Sequence, residues 1–180
     1  MTDHTHAPAV RSFAADRKYR EDTVDRWLQL APTDAHALLD LARELRPSEN
    51  QLRDLWTWTE EIARRDAVSL AHVLSLDAIT AVRRRQVGRT DKIKLVKAAL
   101  RRVRFPQLTA TEDRLAQLVR ELQLPRTVQV ILPDCLEGDS VRVEIVIDSH
   151  AAWRAAAASL QAAAENPACQ RLFQVLAEAE

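Results

Sequence analysis

The hydrophobic positions follow a helical period over most of the chain. Apolar residues recur three and four positions apart, first at Val24, Trp27 and Leu28 and then in several further segments, which is the pattern of helices with one buried face. Gly is scarce, with 2 residues in 180, and such a composition favours helix. The pattern therefore predicts a helical bundle over residues 18–105.

Short polar motifs predict where some of the helices begin. Ser48 with Gln51, and Thr109 with Glu112, have the spacing of capping boxes, in which each side chain bonds the backbone of the other residue. Asp148 or Ser149 is placed to cap the helix that follows the last strand.

One stretch, Thr127 to Ile147, has the period of β-strands instead. Apolar and other residues alternate there in two runs separated by the turn segment PDCLEGDS. The alternating apolar positions are Val128, Val130, Leu132, Val141, Val143, Ile145 and Ile147. We therefore predict a mostly α fold with one β-hairpin (α+β), in which the helical bundle is followed by a helix–strand–strand–helix module over residues 106–180.

A lone hairpin needs cover for its apolar face, because two strands by themselves are only marginally stable in water. The chain's own helices, a second copy of the chain or another partner could supply that cover. We predict a homodimer whose interface consists of Val141, Val143, Ile145, Ile147 and Trp153.

The ends and composition set further expectations. Residues 1–17 show no clear period and are predicted to be a disordered tail. Cys135 and Cys169 have neither the spacing of a metal pair nor that of a disulfide framework, and no run of 18 apolar residues exists. We expect a cytoplasmic protein with no membrane partner, no cofactor and no metal site.

The charge of the chain is unevenly distributed although its formal net charge is zero. The segment from Arg83 to Arg104 holds ten Lys or Arg residues and one acid, Asp91. Such a cationic stripe is the footprint of a phosphate-binding surface. The candidate nucleic-acid-binding residues are Arg83, Arg84, Arg85, Arg89, Lys92, Lys94, Lys97, Arg101, Arg102 and Arg104.

The same stripe has two other interpretations. Long cationic side chains also solvate a helix face, or dock on an acidic surface of the same chain or of another protein. In an adaptor of this second kind, Trp56 or Trp58 would mark a hydrophobic contact with the partner.

No sequence motif indicates catalysis. A Gly-rich phosphate loop, a His-Glu-x-x-His pair, a Cys-x-x-Cys pair and a nucleophile elbow are all missing from the sequence. The acids of the hairpin turn, Asp134, Glu137 and Asp139, are explained by turn chemistry. We predict that the protein is not an enzyme, although residues distant in sequence could still converge on a site for a small molecule.

The pieces TVQVI, EGDSVRVEIVIDS and the helix after them, within residues 110–164, resemble the C-terminal dimerisation module of ParB-type partition proteins. The resemblance implies that two copies pair their hairpins into one four-stranded sheet and that the module can bind DNA. Two features depart from that family: the strands carry Arg142 but no lysines, and the first 105 residues lack the family's arginine-rich nucleotide-binding motifs.

These observations lead to one hypothesis and one alternative. The hypothesis is a non-enzymatic, dimeric nucleic-acid-binding protein with a partition or nucleoid-type accessory role, for which duplex DNA is the favoured ligand. The alternative is a protein–protein adaptor or regulatory scaffold subunit that docks an acidic partner.

Overall fold

The chain folds into two compact units, Met1–Arg104 and Phe105–Glu180. A computed structural model describes residues 6–133, 138 and 140–178. Within these residues the fold has ten helices and one two-stranded antiparallel sheet, which confirms the predicted mostly α architecture with a single hairpin. The first unit is called the bundle unit below, and the second the hairpin unit.

The bundle unit consists of seven helices around one apolar core. They are α1 (Ala7–Arg17), α2 (Glu21–Leu28), α3 (Pro32–Leu45), α4 (Glu49–Asp66), α5 (Leu70–Ser75), α6 (Asp77–Arg83) and α7 (Arg89–Arg104). Trp27 and Trp56 are fully buried at the centre, with ring centroids 6.1 Å apart. The indole nitrogen of Trp27 donates to the carbonyl of Ala35 at 3.2 Å, so α2 is fixed to α3 by a polar contact as well as by packing.

The prediction of a disordered tail over residues 1–17 is wrong for residues 7–17, which form α1. Val10 and Ala14 lie on one face of this helix and are buried in the core, and Phe13 packs edge-on against Trp27. Alanines on both faces weaken the sequence period, so tertiary packing selects the helix. Residues 1–5 lie outside the described part of the chain.

Hydrogen bonds join the end of α1 to the connection between α3 and α4. The Arg17 guanidinium donates to the carbonyls of Arg46 and Pro47, both at 2.9 Å, and the Tyr19 hydroxyl donates to Pro47 at 2.7 Å. Burial raises the pKa of Tyr19, which favours the neutral hydroxyl that donates this bond.

Two of the three predicted helix starts are confirmed. The Ser48 hydroxyl accepts a hydrogen bond from the backbone N–H of Gln51, and the Gln51 side-chain oxygen accepts one from the backbone N–H of Ser48, as a capping box requires. The Ser149 hydroxyl caps its helix by accepting a hydrogen bond from the backbone N–H of Ala152. The capping box at Thr109 is wrong, because that helix starts earlier, at Pro106. Proline is suited to the first turn of a helix, where its missing N–H costs no hydrogen bond.

In the hairpin unit one helix precedes the two strands along the chain and two helices follow them. Its elements are α8 (Pro106–Glu121), β1 (Val128–Ile131), β2 (Arg142–Ile145), α9 (His150–Glu165) and α10 (Pro167–Ala177). Leu115 and Leu118 of α8 pack with Leu172 and Leu176 of α10 in a small separate core. Because this core lies mainly between two helices, much of the sheet is left outside it.

The sheet has a defined register. Val128 pairs with Ile145, and Ile131 pairs with Arg142. Val128 is buried, whereas every residue of β2 is exposed. Within the described residues β2 has one neighbouring strand, so its other edge has no strand beside it.

No helix in the described part of the chain is long and apolar enough to span a membrane.

Candidate nucleic-acid interface and pairing surface

Helix α7 carries most of the basic run and is anchored by an apolar face. Ile93, Val96 and Leu100 are buried in the core of the bundle unit, and Val103 packs partly buried against it. This buried face is the one that the sequence period predicts. The cationic side chains of α7 consequently lie along the flanks and the outer face of the helix.

Four cations of the run pair with acids of α3 and α4. Glu44 of α3 binds both Arg83, at 2.8 Å, and Lys92, at 3.3 Å. Asp54 of α4 lies 2.9 Å from Lys97. These two acids therefore connect α6 and α7 to the neighbouring helices of the same unit.

The fourth pair lies at the end of α7, beside Trp58. The Arg104 guanidinium is 2.6 Å from a carboxylate oxygen of Glu61. Arg104 and Lys97 also lie over the Trp58 ring, at 5.5 and 4.9 Å from its centroid, within range of cation–π attraction. Trp58 therefore contacts cations of its own unit.

The cations of α7 do not all project outward into solvent. Lys92, Lys97 and Arg104 are half-buried because carboxylates on the adjacent helices attract their flexible side chains back to the protein surface. Partly exposed pairs of this kind contribute about 0–1 kcal/mol each, so their main effect is to orient the cations. Arg101 is also half-buried, whereas Arg102 is exposed.

Three of the other cations flank the connection between α6 and α7. Arg84, Arg85 and Arg89 are exposed, and no ion pair among the described residues involves any of them. We call these three residues the arginine turn. Lys94, one turn into α7, is also exposed and lies 3.9 Å from Asp91. The arginine turn is thus the part of the basic run that is open to an external anion.

The sequence left open that the basic run docks on an acidic surface of the same chain, but it did not identify Glu44, Asp54 and Glu61 as the acids. A signal was present, because Asp54, Trp58 and Glu61 are spaced by four and three residues and so share one face of α4. Glu44 carries no such signal, since only the folded chain brings the end of α3 beside α6 and α7.

The predicted dimer residues lie in the hairpin unit and are mostly exposed. Val143 and Ile145 of β2 are 44% and 41% exposed, and Trp153 in the first turn of α9 is 63% exposed. Together with Ile147 and Leu160 they line an apolar groove of about 600 Å³. A large exposed tryptophan beside an exposed strand is unusual for a protein surface that contacts only water.

One predicted interface residue has a different role. Val141 is half-buried and packs against the core formed by α8 and α10. We call the face formed by Val143, Ile145, Ile147 and Trp153 the pairing surface.

The other candidates from the sequence are Trp56 and the polar residues of the hairpin turn. Trp56 is fully buried, so it cannot mark a contact with a partner. Asp134, Cys135, Glu137 and Asp139 of the hairpin turn lie outside the described residues. Among the residues that are described, no three His, Cys, Asp or Glu side chains are grouped so as to hold a metal ion.

Comparisons with known proteins give no relative: no protein-family model, no curated protein and no solved structure matches this chain.

Proposed function

We propose that the protein is a non-enzymatic nucleic-acid-binding protein that acts as a homodimer and contacts the phosphates of duplex DNA through the arginine turn. The observation that carries this proposal is the division of the basic run. Arg83, Lys92, Lys97 and Arg104 are held by acids, whereas Arg84, Arg85 and Arg89 remain exposed and without an ion pair among the described residues.

Arginine is suited to such a contact for a chemical reason. Its planar guanidinium stays charged at all relevant pH values and donates in a fork that matches two phosphate oxygens. Three such groups around one turn form a local positive patch that the paired acids of α3 and α4 do not neutralise. Phosphate contacts of this kind fix position on DNA and carry no base information, so we expect little sequence preference.

The binding prediction concerns the triple variant Arg84→Ala, Arg85→Ala, Arg89→Ala. Each lost phosphate contact is expected to reduce the slope of log Kobs against log salt by about 0.9, or by about 2.7 per chain for the three. Fluorescence anisotropy with a labelled generic DNA duplex over a salt series measures this slope.

The matched control is a triple variant with the same loss of charge elsewhere in the bundle unit. Arg11, Arg43 and Arg64 are exposed and lie outside the basic run, so their replacement by Ala is expected to leave the slope within about one contact of the wild type. Equal slopes for both triple variants would mean that net charge, and not the arginine turn, governs binding. No duplex binding by the wild type at about 50 mM salt would remove the proposal.

A second candidate function is favoured by one observation. The run already binds the three carboxylates of Glu44, Asp54 and Glu61 within its own unit, so its chemistry also suits an acidic protein surface. Retained binding to poly-L-glutamate without binding to duplex DNA would support this adaptor function instead.

A further inference from the structure

Two cations of the basic run converge on the side chain of Glu44, and each contacts a different carboxylate oxygen. Oε2 accepts a hydrogen bond from the Nε–H of Arg83 at 2.8 Å, and Oε1 accepts one from the Nζ of Lys92 at 3.3 Å. Arg83 is the last residue of α6 and Lys92 is the fourth residue of α7, so two consecutive helices supply the donors. Arg83 and Lys92 thus bind both oxygens of one anionic group.

Phosphate oxygens suit the same two donors, because an arginine fork and a lysine ammonium bind phosphate as well as carboxylate. From this arrangement we infer that Arg83 and Lys92 form a further phosphate-binding site, which the carboxylate of Glu44 occupies in the free chain and which a phosphate group takes by displacing Glu44. We call these two cations the latent site. The inference deepens the proposed function and rests on it for the ligand, a nucleic-acid phosphate.

The latent site is accessible from solvent. The side chains of Arg83, Lys92 and Glu44 are 23%, 20% and 28% exposed. A cavity of about 240 Å³, lined by Glu44, Thr80, Arg83 and Arg84, lies beside them. Because Arg84 belongs to the arginine turn, the latent site is continuous with the exposed cations that the proposed function uses.

Glu44 is held in a way that permits displacement. It is the last residue but one of α3, and the dipole of a helix disfavours a carboxylate at the C-terminal end. Its two ion pairs are partly exposed, and water competes for the charges of such pairs. The cations therefore hold Glu44 against the preference of its own helix, and a phosphate group can compete for them.

The variant Glu44→Gln tests the inference, because it removes the competing charge and keeps the length of the side chain. Binding of inorganic pyrophosphate is followed by NMR at the Nε–H signal of Arg83, the group that bonds Glu44 in the free chain. We expect this signal to shift in the wild type on titration. The variant is expected to bind pyrophosphate about tenfold more tightly, since no ion pair has to be broken first.

Two controls separate the latent site from a general effect of charge. Asp40 is an exposed acid one turn earlier on α3 with no ion pair among the described residues, so Asp40→Asn is expected to change the affinity by less than about threefold. In a chain that carries Arg83→Gln and Lys92→Gln, the further change Glu44→Gln is expected to alter the affinity by less than about twofold, because the carboxylate has no cations left to occupy. Far-UV circular dichroism checks that each variant keeps its helices.

The same variants are then compared for binding of a labelled generic DNA duplex by fluorescence anisotropy at about 50 mM salt. Glu44→Gln is expected to strengthen duplex binding about tenfold, and Asp40→Asn by less than about threefold. Equal pyrophosphate affinities of the wild type and Glu44→Gln would overturn the inference. A gain that persists without Arg83 and Lys92 would overturn it as well.

The pyrophosphate and duplex measurements distinguish failure of the latent site from failure of the proposed function. If Glu44→Gln gains affinity for pyrophosphate while neither chain binds duplex DNA, the ligand of the proposed function is refuted and the latent site stands. If the wild type binds duplex DNA and Glu44→Gln strengthens neither duplex nor pyrophosphate binding, the latent site is refuted and the proposed function stands.

Discussion

Replacement of Trp27 by Ala is expected to lower the free energy of unfolding of the bundle unit by about 3–5 kcal/mol. The Trp27 side chain is fully buried, its ring packs against Phe13 and Trp56, and its indole N–H bonds the carbonyl of Ala35. The variant removes all of these contacts and leaves a cavity that neighbouring helices cannot fill completely.

Urea denaturation followed by far-UV circular dichroism measures this loss. Trp27→Phe keeps an aromatic ring but loses the N–H donor, so a smaller destabilisation is expected. Trp153→Ala is the control for loss of a tryptophan, since Trp153 is 63% exposed and lies outside the bundle unit. Equal stability of the wild type and the Trp27→Ala variant would contradict the assigned core.

Replacement of Leu115 by Ala is expected to destabilise the hairpin unit by about 2–5 kcal/mol. Leu115 is fully buried between α8 and α10, in a core that is much smaller than that of the bundle unit. A single lost leucine therefore removes a large share of the apolar contacts that hold this unit together.

Two probes separate the units in this experiment. In a Trp153→Phe background, the remaining tryptophans, Trp27, Trp56 and Trp58, report on the bundle unit alone by fluorescence, while circular dichroism reports on helices of both units. We expect an early loss of part of the circular dichroism signal with an unchanged fluorescence transition. Arg114→Ala, an exposed change one residue away, should shift stability by no more than about 0.5 kcal/mol. A parallel shift of both probes would argue against a separate core.

Much of the fold could be predicted because its signals are local. Helical period, the capping box at Ser48, the serine cap at Ser149 and strand alternation each depend on residues within a few positions of one another. Helix α1 was missed because its alanine-rich sequence has little amphipathic character and is held by contacts from Phe13 and Val10 to the core. Contacts with residues that are distant in sequence decide whether such a segment is helical.

In the candidate site, too, some features depend on neighbouring residues in the sequence and others on distant ones. The sequence locates the cations but cannot assign their partners, because Glu44 is 48 residues from Lys92 and Asp54 is 43 residues from Lys97. The fold therefore determines which cations remain available to an external anion. The residues of the arginine turn remain available, whereas Lys92 and Lys97 are paired with acids. Val143 and Trp153, in contrast, stay exposed because the core of their unit lies mainly between α8 and α10.

The proposed homodimer is tested most directly by amide hydrogen exchange, resolved by residue, at high and low protein concentration. Val143 and Ile145 should exchange slowly when the chain is dimeric and quickly after dilution, since their amides point away from β1, toward the edge that a second copy would cover. Arg142 and Glu144 face β1 and serve as internal controls whose protection should change far less. Fast exchange of Val143 and Ile145 at every concentration, with Glu144 still protected, would contradict the account.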